Sequence, residues 1–216
     1  MTAAPIHPVT TVAVLEQALE DRILDGDLAP GEHLIEAELT RDYDVARHSL
    51  RAACDALARR GLLTKRVNRG FFVPELTKRD AEEIFELRRA LELPIVRDLA
   101  AARTVPARTL QALEDFEAMP RDAAWRDIVR TDVDFHRGLV EAAGNSRIVR
   151  AHADLLSEIA LCIVQTGSTY DDAREVAKEH RELVDAIRSG SADRAERQLA
   201  AHFEEGLKRL PFPEGR

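Results

Sequence analysis

The chain has 216 residues, 45% hydrophobic and 32% charged, with 5% aromatics, 10 Gly and 9 Pro, which excludes a disordered tail and argues against an all-β sandwich. Its 31 basic and 39 acidic residues give a formal charge of −8, which taken alone argues against a nucleic-acid partner. No run approaches the roughly 18 apolar residues of a membrane span, no basic leader opens the chain, and Cys54 and Cys162 are too few and too far apart for a disulfide framework. A cytoplasmic chain with no membrane partner is expected, its two thiols serving as packing residues.

In chain order, Val14, Leu15, Ala18, Leu19 and Ile23 recur at helical spacing over about 10–25 and Asp25-Gly26 ends that helix. After the turn at Leu28 to Gly31, the residues Leu34, Ile35, Leu39 and Tyr43 support a short second helix. A third, from about 46 to 60, buries Leu50, Ala53, Cys54 and Leu57 and leaves Arg47, His48 and Arg51 near its exposed start, with Gly61 closing it. Residues 62–67 and 71–73 read as short β runs around the turn Asn68-Arg69-Gly70.

Charge follows this layout. Up to Asp44 there are ten acidic residues against two basic, whereas residues 45–70 hold seven basic and one acidic. The cations therefore sit on one helix and one hairpin tip, the combination a winged helix-turn-helix offers to a major groove and an adjacent minor groove or phosphate row. A boundary near residue 76 divides 1–76 from 77–216, where helices are expected at about 79–103, 106–119, 121–143, 145–167, 171–189 and 192–209. The predicted fold is mainly α: an N-terminal winged helix-turn-helix with a small β-hairpin wing and a C-terminal all-α six-helix bundle.

The segments Leu34 to Leu39, Val45 to Ala53, Leu57 to Leu62 and Arg69-Gly-Phe-Phe-Val73 resemble the winged helix of GntR-type bacterial transcription regulators. In the second half, Glu83 to Glu92, Asp132-Val-Asp-Phe-His136 followed by Gly144-Asn145, then Glu179-His180 and His202, resemble the FadR-type (FCD) ligand-binding domain. Six helices rather than seven place the likeness nearer the VanR-like branch. Departures lie in the third helix, where Ala46, His48, Ser49 and Ala52 replace the family's usual Ser, Thr, Pro and Glu. With that Ser gone, Asp44 is the expected side-chain acceptor for the amides at the helix start.

The resemblance implies a ligand-responsive, DNA-binding regulator, a homodimer that reads double-stranded operator DNA, and a repressor released by a small carboxylic acid. Arg47 and Arg51 match family positions that enter the major groove, where a guanidinium fork suits guanine or phosphate. Arg69 and Gly70 match its wing-tip contact. His48 is either a DNA contact or a solvent-exposed helix residue, and Arg59 and Arg60 are structural or DNA-binding.

Asp132 and His136, four residues apart, share a helical face and amount to half a metal site. His180 and His202 are 22 residues apart on different helices, so spacing does not join them to it. The resemblance does, implying a divalent metal held by Asp132, His136, His180 and His202, with zinc favoured and nickel, manganese or iron as alternatives. Arg88 matches a family position facing the effector cavity, or forms a helix-surface ion pair with Glu92. Asn145 touches the ligand or caps the next helix. His7, His33 and His152 have no partner spacing and read as surface residues.

A metal sensor with no organic effector is one alternative and a metal-dependent enzyme another. Against the enzyme, the chain lacks HExxH, any Glu three residues before His136, His180 or His202, a P-loop and a GxGxxG run. The expected answer is no enzyme.

Overall fold

The computed structural model describes residues 10–166, 173–210 and 212, and His7 and the expected helix start at 171 lie outside them. The chain divides into two compact units, Met1–Glu75 and Leu76–Arg216.

In the first unit, α1 (Thr11–Leu24) starts where the Thr10 hydroxyl accepts from Ala13 N at 3.2 Å. It packs on α3 (Arg47–Arg59) and buries Leu15, Leu19 and Ile23, while α3 contributes Leu50, Cys54 and Leu57. Glu20 of α1 takes both terminal nitrogens of Arg60 at 2.6 and 2.8 Å, which makes Arg60 a structural tie between the two helices.

Helix α2 (Glu36–Asp42) begins two residues later than Leu34 would suggest. His33–Leu34 instead forms β1, a strand too short to declare itself by alternation. It pairs antiparallel with β3 (Gly70–Phe72), which also pairs with β2 (Thr64–Arg66), so the wing is a three-stranded sheet in the order β1-β3-β2. Asn68 and Gly70 both have positive φ in the β2–β3 turn, and a Cβ on Gly70 would lie 3.0 Å from His33 Nε2. The expected cap by Asp44 is corrected: Ala46 is the N-cap of α3, with no side-chain hydrogen bond there, and Asp44 stands at φ 49°, in the turn that precedes it.

The second unit holds, among the described residues, six helices: α4 (Lys78–Ala101), α5 (Ala107–Ala118), α6 (Trp125–Glu141), α7 (Ser146–Thr166), α8 (Ala173–Ser189) and α9 (Ala192–Lys208). Thr77 and Asp80 form a reciprocal capping box at the start of α4. Helix α6 begins four residues later than expected because Pro120 opens a turn closed by Ala123 N on its carbonyl at 3.1 Å. Helix α4 packs on α9 and α7, α5 on α6, α6 on α7, and α8 on α9, around a core containing Phe85, Phe116, Phe135, Leu139, Ile159, Leu183 and Phe203. No described helix is long and apolar enough to cross a membrane. Cys54 and Cys162 are reduced and buried, and burial pushes both thiols up to about 12, as suits packing residues.

The α5–α6 crossing is held close by a missing side chain. A Cβ on Gly138 would fall 2.5 Å from Thr109 Oγ1 and 2.7 Å from its amide nitrogen. Thr109 is fully buried and its hydroxyl donates to Phe135 O at 3.3 Å. Ala exceeds Gly in helix propensity by about 1 kcal/mol, yet here the backbone of α5 must move. Gly138→Ala is expected to destabilise the protein by about 1–3 kcal/mol, read as a lower midpoint in urea denaturation.

Candidate metal centre and nucleic-acid interface

In the first unit, a groove of about 690 Å³ opens between the start of α3 and the wing. Arg47, Arg51, Lys65, Arg66 and Arg69 line it, with Gly70 at its edge. Glu36, on the first turn of α2, orders the helix side: one carboxylate receives Arg47 Nε at 3.0 Å and Arg51 Nη1 at 2.8 Å. Both guanidinium groups keep other N–H donors, and Arg47 remains 73% exposed. On the wing side, Arg66 stacks over Phe72 at 4.4 Å and Lys65 pairs with Asp55 at 2.6 Å. His48 is exposed beside Arg47 but does not line the groove.

In the second unit, Asp132 and His136 project from one face of α6, His180 from α8 and His202 from α9, and one potential ligand atom from each lies within 4.8 Å of all the others. His136 and His180 are almost wholly buried, Asp132 nearly so, and His202 is about 10% exposed. Each imidazole is oriented through its Nδ1. His136 Nδ1 meets Glu92 Oε2 at 2.7 Å, His180 Nδ1 donates to the Val176 carbonyl at 2.7 Å, and His202 Nδ1 meets Glu179 Oε2 at 2.9 Å. With Nδ1–H spent on an acceptor, the lone pair of each neutral ring is on Nε2. The Nε2 atoms of His136 and His180 are buried without a hydrogen bond and lie 3.7 and 3.2 Å from Asp132 Oδ1. Buried, unsatisfied acceptors facing a carboxylate are costly unless a cation joins them, so the donor set fits a divalent metal.

Electrostatics agree with that use. Burial, reinforced by Arg88, lowers the His136 pKa to about 4, so the ring is neutral at neutral pH as a ligand must be. His202 is lowered for the same first reason, with Glu179 opposing. Burial raises Asp132, but its interactions with His136 and His180 outweigh this and keep the carboxyl below its usual range.

Glu92, on α4, is fully buried. Besides His136 it accepts from Arg88 Nε at 3.1 Å and meets His152 Nε2 at 3.0 Å. Burial alone would raise its pKa, yet interactions with His136 and Arg88 hold the carboxyl well below the usual carboxylate range. A cavity of about 50 Å³ adjoins the centre, with Arg88, Asp132 and His202 among its lining.

Residues 11–73 match the bacterial regulatory proteins of the gntR family, and residues 83–205 match the FCD domain. The chain belongs to the gntR family of bacterial regulatory proteins. This GntR regulator is 32% identical to the HTH-type transcriptional repressor NanR of Enterobacter sp. (strain 638), with 88% of this chain and 81% of that protein covered. It is 29% identical to the "Probable D-xylose utilization operon transcriptional repressor" of Paenarthrobacter nicotinovorans, covering 93% of this chain and 89% of the relative. Among solved structures, GntR from Rhodococcus sp. RHA1 superposes with a TM-score of 0.80 at 25% identity, over 92% of this chain and 96% of that one. Its curated relatives are transcription regulators, not enzymes.

The structure of this GntR regulator brings Asp132, His136, His180 and His202 together, and places Arg47, Arg51, Arg69 and Gly70 on one groove. Arg88 pairs with Glu92 as spacing allows, but inside the bundle and on the cavity, not on the helix surface. Of the two readings of Asn145 the geometry gives the cap: it is exposed, its Oδ1 accepts from Arg147 N at 3.0 Å at the start of α7, and it is not on the described cavity lining. One expectation is corrected. His152 is no surface residue: it is 1% exposed and bound to Glu92. Sequence reasoning missed Glu36 and Glu92 as organisers. A Glu at the first turn of α2 and a Glu one turn after Arg88 were visible, but nothing local gave their partners on other helices, Arg47 and Arg51 for the first and His136 and His152 for the second.

Two outcomes are expected. Glu92→Gln in chelator-stripped protein should weaken zinc binding about 10–100-fold in a competition titration, because an amide orients His136 less firmly. In the same metal-free state, the unfolded chain takes up the His136 proton near pH 6.5 and the folded chain only near pH 4. Stability should therefore fall as pH drops from 6.5 towards 4, and a His136→Asn variant should have a flatter melting-temperature profile over that window.

Proposed function

We propose that this chain is a repressor that binds operator DNA as a homodimer through its winged helix and is released by a small carboxylic acid held beside a divalent metal. The observation that carries this reading is the buried centre on α6, α8 and α9: three oriented imidazoles and Asp132, bordering a cavity that Arg88 lines. Asp132, His136, His180 and His202 would hold the ion. When bound, it supplies a positive Lewis-acid site for an incoming carboxylate, with zinc favoured by the nitrogen-rich donor set. The repressor names of the NanR and D-xylose operon relatives support the direction of regulation, and the six helices among the described residues of the second unit suit the VanR-like branch.

The chain's own residues then divide the work. Arg88 offers a buried charge to an acid. Glu92 and Glu179 fix the rings of His136 and His202. Arg47 and Arg51 enter the major groove from the start of α3, Arg69 and Gly70 meet the backbone from the wing tip, and His48 flanks them. One such head makes few contacts, so two copies on related half-sites are needed for useful affinity. The acid acts by favouring one arrangement of the paired chains over the other.

The test is operator titration at fixed salt. Arg47→Ala with Arg51→Ala is expected to abolish specific retention while the thermal unfolding midpoint stays within a few degrees of the wild type. Arg69→Ala is expected to weaken binding evenly across sequences and to lower the slope of log affinity on log salt by about 1. Undiminished operator binding by the double variant refutes the assignment. Release by zinc alone, with acids inert, would favour a metal sensor.

A further inference from the structure

The cavity beside the four-residue centre is unevenly furnished. Phe85, Ile128, Val129, Ile163, Val176 and Leu210, with the indole of Trp125, form most of its described wall. The ionisable side chains on its described lining are Asp132 and His202, which belong to the centre, and two arginines, Arg88 and Arg209. Arg209 is committed to carboxylates, with Nε 3.0 Å from Glu205 Oε1 and Nη1 3.2 Å from Glu175 Oε2. Arg88 is different. It is 2% exposed, its Nε is taken by Glu92, and its Nη2 is buried without a hydrogen-bond partner. A guanidinium does not shed its proton to escape that cost, so the unsatisfied donor calls for an acceptor on whatever enters.

We propose that the effector is a compact monocarboxylic acid with an aliphatic body, of the size and shape of isobutyrate, and not a sugar or a polyhydroxylated sugar acid. The inference rests on the carboxylate reading above and narrows it. One carboxylate satisfies Arg88 Nη2 together with the centre formed by Asp132 and the histidines, and a second would find no free cation on the described lining. The rest of the ligand meets a mainly apolar wall. Each methyl or methylene group buried there raises affinity about fourfold. Each hydroxyl buried without a partner lowers it roughly tenfold or more. Size limits the body as well. A cavity of about 50 Å³ has room for on the order of four waters, which suits a ligand of about four to seven heavy atoms.

The experiment is calorimetric titration of the zinc-loaded full chain, at fixed pH and salt, with acetate, isobutyrate, isobutyramide, D-gluconate and D-xylose. Isobutyrate is expected to bind about tenfold tighter than acetate and at least tenfold tighter than gluconate, with isobutyramide and xylose weaker still. Val129→Thr, which keeps the volume but places a hydroxyl on the apolar wall, is expected to narrow the gap between isobutyrate and gluconate severalfold. Gluconate binding as tightly as isobutyrate overturns the inference and leaves a carboxylate effector standing. Xylose or isobutyramide binding as tightly as isobutyrate, or no ligand binding at all, overturns both.

Discussion

A single carboxylate with no access to solvent organises the helical unit. Glu92 lies on α4 and reaches α6 through His136, α7 through His152, and its own helix through Arg88. An ionised group so deep is expensive, and it is tolerated only because three donors share its two oxygens. Removing any one donor would leave charge uncompensated, so the four side chains behave as one unit. That unit sets which nitrogen of His136 carries the proton and where the free lone pair points. It also holds Arg88 by Nε while leaving Nη2 for something else.

The same economy appears at the other two imidazoles. His180 is steered by a carbonyl one turn back on its own helix, and His202 by Glu179 of the neighbouring helix. Three unrelated acceptors thus produce one result, Nε2 lone pairs gathered about Asp132. Helix packing is what makes the gathering possible. The close crossing of α5 and α6 at Gly138 and Thr109 fixes the lie of the helix that carries two of the four groups.

In the winged helix, Glu36 has an analogous part in an exposed setting. It neutralises some of the charge of Arg47 and Arg51 and restricts their rotamers, lowering the entropy lost when they are ordered on a partner. The acidic character of residues 1–44 therefore does not oppose the basic groove. Part of it holds the groove in shape. A net charge of −8 describes the molecule seen from far away, whereas recognition depends on the few cations that share one concave face.

Local features were legible in the sequence because they depend on neighbours along the chain. Helical spacing gave α1 and α3, the Asn68 to Gly70 turn gave the wing, and Asp132 with His136 gave half of the centre, since residues four apart share a face whatever surrounds them. The pairing of Arg88 with Glu92 was legible for the same reason. Its burial was not, and neither was the burial of His152, which has no partner within a turn. The capping of α3 was misjudged because the backbone turned at Asp44 instead. Sequence by itself determined the order of helices, the cationic helix and hairpin, and the family to which they belong. Tertiary structure alone decided that α6, α8 and α9 bring their ligand atoms within 4.8 Å of one another and that Glu92 lies at their back. Spacing along one helix specifies only what lies on that helix, and convergence of separate helices is set by how their side chains pack.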